Sequence, residues 1–255
     1  MPLKLNLLLS LTFAGSLAAL DLGSLSRSTL GAVVATCAAD FALTSSPAPC
    51  QKLVPGQGGG AGYVVIREPG EARRTILSPL SDLAGIENPS LVSLGAPNYF
   101  RFAWNERAWV TDNYPDRRSR SDVALAINSE QSRTQDHLHI HIACVRTDIR
   151  AALDTHAVAI GTDRFRMLNF RLGGIRYWAK AVTGRDLDWN AFRLVAEGVP
   201  RAKGQMGNVS IGVIGTVLPG QVPGFYVLAD ISTQRHEASA ERLLDPSCSS
   251  QSAPL

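Results

Sequence analysis

The chain has 255 residues, of which 45% are hydrophobic and 18% charged, and a formal net charge of +3. That length buries a sizeable core in one large domain or two small ones, and the composition excludes an intrinsically disordered chain. The positive excess is small and scattered; it suits an anionic small molecule or an anionic lipid surface and argues against nucleic acid as a partner.

Lys4 precedes an uncharged apolar run over residues 5–20, with Gly15, Ser16, Ala18 and Ala19 near its end and Asp21 after it. This is the pattern of a secretory leader. It also suits a single-span anchor, although it is a little short of the roughly 17–25 residues that a spanning helix needs. Either way residues 21–255 are expected outside the cytoplasm, because the positive end stays inside. Four cysteines in an exported chain, Cys37, Cys50, Cys144 and Cys248, predict two disulfides with three possible pairings. The closeness of Cys37 and Cys50 across the turn-rich Ser45-Ser46-Pro47-Ala48-Pro49 favours joining those two, which leaves Cys144 with Cys248.

After the leader, residues 26–43 read as a helix capped by Ser26 or Ser28. The glycine run Gln57-Gly58-Gly59-Gly60-Ala61-Gly62 precedes its strand and opens no helix, so it fits a connector rather than a phosphate loop. Strands are predicted over residues 63–66, 74–79, 123–128 and 136–145, the last two joined by the polar turn 129–133. Between them a helix over 97–113 carries Phe100, Phe102, Trp104 and Trp109, for which core packing is the default role. The second half reads as helices at 148–161, 174–183 and 190–197, strands at 209–217 and 224–229, and a last helix at 237–244. The order predicts an α+β fold with an antiparallel sheet and packed helices, a first half over about 55–150 and a C-terminal α+β extension over about 151–255.

The chemistry concentrates in Asp136-His137-Leu138-His139-Ile140-His141-Ile142-Ala143-Cys144. Side chains alternate along a strand, so His137, His139 and His141 share one face while Leu138, Ile140 and Ile142 pack on the other. A shared metal is disfavoured, because the outer Cα atoms of such a strand stand about 13 Å apart. Zinc would then need a further ligand such as His156 or His236. A merely solvated strand would more readily use Thr, Ser or Lys. Nucleophilic catalysis remains, with one imidazole attacking while its neighbours orient it and neutralise charge.

The run His137 through Ala143 resembles the signature of the histidine-triad superfamily of nucleotide hydrolases and transferases. A closer resemblance, to the bacterial CDP-diacylglycerol pyrophosphatases, is carried by Ala124, Ile127-Asn128-Ser129 and Arg133 through Cys144. Pro97-Asn98-Tyr99-Phe100, Gly62-Tyr63-Val64-Val65, the positions of all four cysteines and the apolar leader add to it, and it weakens after about residue 160. It implies a fold like that of the triad proteins and hydrolysis of a nucleotide-linked phospholipid at a membrane surface, on the periplasmic face of the inner membrane. It implies no metal or other cofactor. His139 would attack the phosphorus next to cytidine, His141 would bond a phosphate oxygen or the leaving group, and His137 would fix the side-chain network. Asn128 would bond the nucleotide or orient the site, and Thr134 and Gln135 would face phosphate. Arg133 and Arg146 are candidate charge clamps, since guanidinium grips phosphate in a forked geometry. The turn between Asn128 and His137 departs from the wider superfamily in lacking glycine. Two rival activities share these residues: transfer of CMP to an acceptor other than water, and periplasmic metal binding.

Overall fold

The computed structural model describes residues 27–56, 61–67, 75–112, 119–245 and 247–248. The expected leader (1–20) and residues 57–60 of the glycine run lie outside them. The elements in order are α1 (Thr29–Thr44), β1 (Lys52–Val54), β2 (Tyr63–Arg67), β3 (Thr75–Pro79), α2 (Tyr99–Asn105), α3 (Ala108–Thr111), β4 (Val123–Ile127) and β5 (Ile140–Val145). They continue with α4 (Thr147–Thr155), β6 (Arg166–Met167), β7 (Trp178–Thr183), α5 (Ala191–Gly198), β8 (Val209–Leu218), β9 (Val222–Ile231) and β10 (Leu244–Asp245).

The fold is α+β. One antiparallel sheet runs in the order β1-β2-β3-β5-β4-β8-β9-β7-β6, with β10 paired to β5. The β4–β8 ladder, with Ala124 opposite Ile214, carries it from the first half of the chain into the second. Alternation along β5 divides the core. Leu138, Ile140, Ile142 and Cys144 join Phe100 and Trp104 of α2, Val110 of α3 and Phe192 and Val195 of α5 on one face. Ala143 and Val145 face the other way, toward Ile149 and Leu153 of α4. On that second side α1 lays Leu30 and Val34 against Val64, Ile66 and Ile76 of β2 and β3. The histidines lie on the α1 side.

Several predicted elements take another form. Residues 174–183 do not form a helix: a turn at Gly173 and Gly174, both with positive φ, leads into β7. There Ala179 and Ala181 are buried and the alternate side chains half-buried, and six residues pair with β9. Ala and Lys suit a helix by propensity, and the long edge of β9 overrides them. The expected final helix is a single 3-10 turn, Ala240–Leu243, because Leu244 and Asp245 are drawn into pairing with β5. The helix over 97–113 breaks at Glu106, whose buried carboxylate accepts from Lys52 Nζ (2.6 Å), Tyr63 Oη (2.7 Å) and Trp109 Nε1 (3.1 Å). The helix predicted at 148–161 stops at Thr155, and the strand predicted at 136–145 begins as a ladder only at Ile140.

Disulfides join Cys37 to Cys50 and Cys144 to Cys248, with Cα atoms 5.8 and 5.2 Å apart. The second closes 104 positions and lies beside the β10–β5 pairing of Asp245 with Cys144. Chain entropy assigns such a loop about 4.7 kcal/mol. The Cys144→Ser, Cys248→Ser double variant is therefore expected to melt about 10 °C lower by calorimetry. An unchanged midpoint would show that the C-terminal segment is held without the bond.

Candidate active site

The segment before β5 is fixed by charge. Arg27 donates from Nε (2.7 Å) and Nη2 (2.6 Å) to the two carboxylate oxygens of Asp136 and from Nη1 to the Arg133 carbonyl (3.1 Å). Arg133 in turn donates from Nε to Asp136 (2.9 Å) and from Nη1 to Glu87 (2.6 Å). Its guanidinium passes so close over Gly85 that a Cβ there has no room. The Arg27 hydrogen bonds are the largest influence on the Asp136 carboxyl; burial opposes them, and the hydrogen bond and charge of Arg133 help to hold it down at about 2. Gln135 Oε1 accepts from the Leu30 amide (2.8 Å) and so ties the first turn of α1 to this segment.

Residues 138 and 139 lie outside the ladder. Leu138 N donates to the Leu83 carbonyl (2.6 Å), and Ser78 Oγ donates to the Leu138 carbonyl (2.7 Å). All three histidines are buried. His137 Nε2 donates to the Pro79 carbonyl (3.0 Å), and its ring packs against Gly31, where a Cβ would stand 3.4 Å from Nδ1. His139 Nδ1 lies 2.7 Å from the carbonyl of His137. A carbonyl only accepts, so Nδ1 carries the proton and the lone pair sits on Nε2. The rings of His139 and His141 meet edge-to-face with centroids 5.0 Å apart.

Glu241, on the 3-10 turn Ala240–Leu243, completes the group. Its Oε1 lies 3.2 Å from His141 Nε2. Asn128, 5% exposed, grips Glu241 from two sides. Its Nδ2 donates to Glu241 Oε1, and its Oδ1 accepts from the Glu241 amide (3.4 Å) and from Ser239 Oγ (3.1 Å). The turn itself is braced by Arg146, whose backbone amide donates to Leu243 O (3.0 Å) and whose Nη1 donates to Arg242 O (3.2 Å).

These groups border a cavity of about 490 Å³. His139, His141, Glu241, Thr134 and Gln135 line one part, Leu30, Val33, Pro49, Ile66 and Ile76 an apolar wall, and among the described residues Arg67 at the end of β2 is the only guanidinium in the lining. The fold therefore brings together His139, His141, Thr134 and Gln135, with Asn128 behind Glu241 and His137 beneath His139. Arg133 and Arg146 are engaged elsewhere: Arg133 with Glu87 and Asp136, and Arg146 with Asp148 (2.9 and 2.7 Å) on the surface. His156 stacks on Phe170 and His236 pairs with Asp230. Among the described residues no cluster of three or more potential metal ligands forms. Sequence reasoning missed Glu241 and Arg67, which belong to no local motif; Glu241 stands 113 positions from Asn128.

The profile of the CDP-diacylglycerol pyrophosphatase family matches residues 26–252. The chain belongs to that family. A Yersinia pestis protein named CDP-diacylglycerol pyrophosphatase is 33% identical to it over 216 residues, which cover 83% of this chain and 80% of that protein. Membership makes the chain a hydrolase, and the match takes in the three histidines, Glu241 and both disulfides.

A pH prediction follows from Asp136. A folded pKa held near 2 contributes stability that is complete above about pH 4 and disappears as the pH falls through about 2. Denaturant midpoints taken across that window should fall for the wild type. Asp136→Asn should be less stable at pH 7 and show a shallower fall; parallel profiles would mean the ion cluster does not hold this segment.

Proposed function

We propose that the chain hydrolyses CDP-diacylglycerol to CMP and phosphatidate through a nucleotide held covalently on Nε2 of His139. The observation that carries this reading is the His139 Nδ1 contact with the His137 carbonyl, which leaves Nε2 unprotonated without the need for a separate base. In the first step the Nε2 lone pair forms a bond to the phosphorus that bears cytidine. The bond from that phosphorus to the bridging oxygen breaks, and its electron pair leaves with phosphatidate, whose oxygen takes the proton of His141. In the second step water attacks the same phosphorus, the P–N bond breaks, His139 returns to its starting form, and His141 takes up the proton that water gives off. Splitting one displacement into two lowers each barrier. The departing group is a phosphate monoester with a second pKa of about 6, so charge neutralisation matters more than strong acid catalysis.

The cavity is divided in the way the substrate is. Its polar part, with the two histidines, Thr134, Gln135 and Arg67, suits the diphosphate, and its apolar wall on α1, β2 and β3 suits the diacylglycerol. Two disulfides support an oxidising compartment. With the leader they support action at the periplasmic face of the inner membrane. No helix among the described residues is long and apolar enough to cross a membrane; the expected anchor lies in residues 1–20, outside them.

Hydrolysis of CDP-diacylglycerol in detergent and ¹⁸O-water tests the reaction. The label is expected in CMP, and a rapid acid-free quench should recover cytidine-labelled protein from the wild type but not from His139→Ala, whose rate should fall at least about 10⁴-fold, as for loss of a covalent nucleophile. Label appearing in phosphatidate, or a His139→Ala variant that keeps its rate, would overturn the reading.

A further inference from the structure

Glu241 raises a question of charge. A carboxylate that borders an anion-binding cavity repels the ligand unless a cation neutralises it. The group within reach that can carry that positive charge is His141, whose Nε2 is 3.2 Å from Glu241 Oε1. The placement of the carboxylate is well determined: Asn128 holds both the backbone amide and the side-chain oxygen of Glu241, and Ser239 bonds the same Asn128 oxygen. The turn that carries Glu241 is tied to β5 by the pairing of Leu244 with Val145, by Arg146 and by the Cys144–Cys248 bond. Among the described residues the other charged or titratable groups bordering the cavity are His139 on the same segment and Arg67 at the end of β2, while α1 contributes the uncharged Thr29, Leu30 and Val33.

We infer that Glu241 is a positioning residue: gripped by Asn128, it orients the His141 imidazole edge-on to His139 and keeps it charged beside the phosphoryl group in transfer. This rests on the reading of His139 as nucleophile. It also assigns Asn128 a place behind the site, acting through Glu241 rather than on the nucleotide. Anions that orient a working imidazole from behind fix its ring and its proton together, and their loss typically costs about 10–100-fold in function.

The test compares the wild type with Glu241→Gln, Asn128→Ala and the double variant, all in the disulfide-bonded form. Glu241→Gln can keep the oxygen that Asn128 bonds while it removes the charge and puts an amide nitrogen in place of the other oxygen. With CDP-diacylglycerol in detergent, kcat should fall about 30-fold in Glu241→Gln, with KM within about twofold and the melting temperature unchanged, a split that a purely structural role would not produce. Asn128→Ala should lower kcat as well, and the double variant should be no slower than the worse single one, because both act through one imidazole. Proton NMR titration of the His141 ring, which needs no substrate, should show its midpoint lower by about one pH unit in Glu241→Gln. An unchanged midpoint, or unchanged kcat in Glu241→Gln, or losses that multiply in the double variant, would each overturn the inference. A wild type inactive on CDP-diacylglycerol but with the expected shift of the His141 midpoint would sink the substrate reading and leave the positioning role standing.

Discussion

The central constraint is that three strands share the two edges of β5. Strand β4 occupies one edge from Ala126 opposite His141 to Val123 opposite Cys144. The other edge is divided: β3 takes Ile140 to Ile142, and β10 takes Cys144 and Val145. Because β10 takes that edge beyond Ile142, residues 244 and 245 reach the strand that carries the histidines. A longer β3 would fill that edge and leave the turn at Ala240–Leu243 with nowhere to dock. From this arrangement follow the position of Glu241 and the covalent tie at Cys248. The seating of Ile140, Ile142 and Cys144 in the larger core follows from the same strand.

What the sequence made legible is local and periodic. Histidine alternating with Leu138, Ile140 and Ile142 needs only the period of a strand to predict which side chains meet the core, and they do. The pairing of Cys37 with Cys50 follows from short-range geometry, and the other bridge then follows by exclusion. What stayed illegible depends on contacts between distant residues. Glu241 looks like one acid among many until Asn128 is set beside it. Residues 178–183 have a composition that serves helix or strand, and only the neighbouring β9 decides between them. Arg133 and Arg146 have the right chemistry for phosphate by type, yet nearby carboxylates engage both of them, and no local pattern announces such neighbours.

The site is built from neutral and charged contacts with separate tasks. Backbone carbonyls of Pro79 and His137 set the tautomers of two histidines, which costs no net charge in a buried place. The charged cluster of Arg27, Arg133, Asp136 and Glu87 stands just upstream and locks the chain that leads into them. Exposed ion pairs contribute little singly, and a connected network of this kind does more by fixing a segment that no ladder holds. Rigid support for His139 therefore comes from main-chain bonds, with side-chain charge concentrated in the approach.

The bond between Cys144 and Cys248 makes the residues between them a closed covalent loop, and Glu241 lies on that loop while His141 stands three residues outside it. A backbone cut anywhere in the loop, for instance near the exposed Val158, opens the ring into a branched chain without detaching either side of the site. The same closure joins distant stretches: Glu241 follows His141 by 100 positions, so the two meet only where the turn Ala240–Leu243 has docked beside β5.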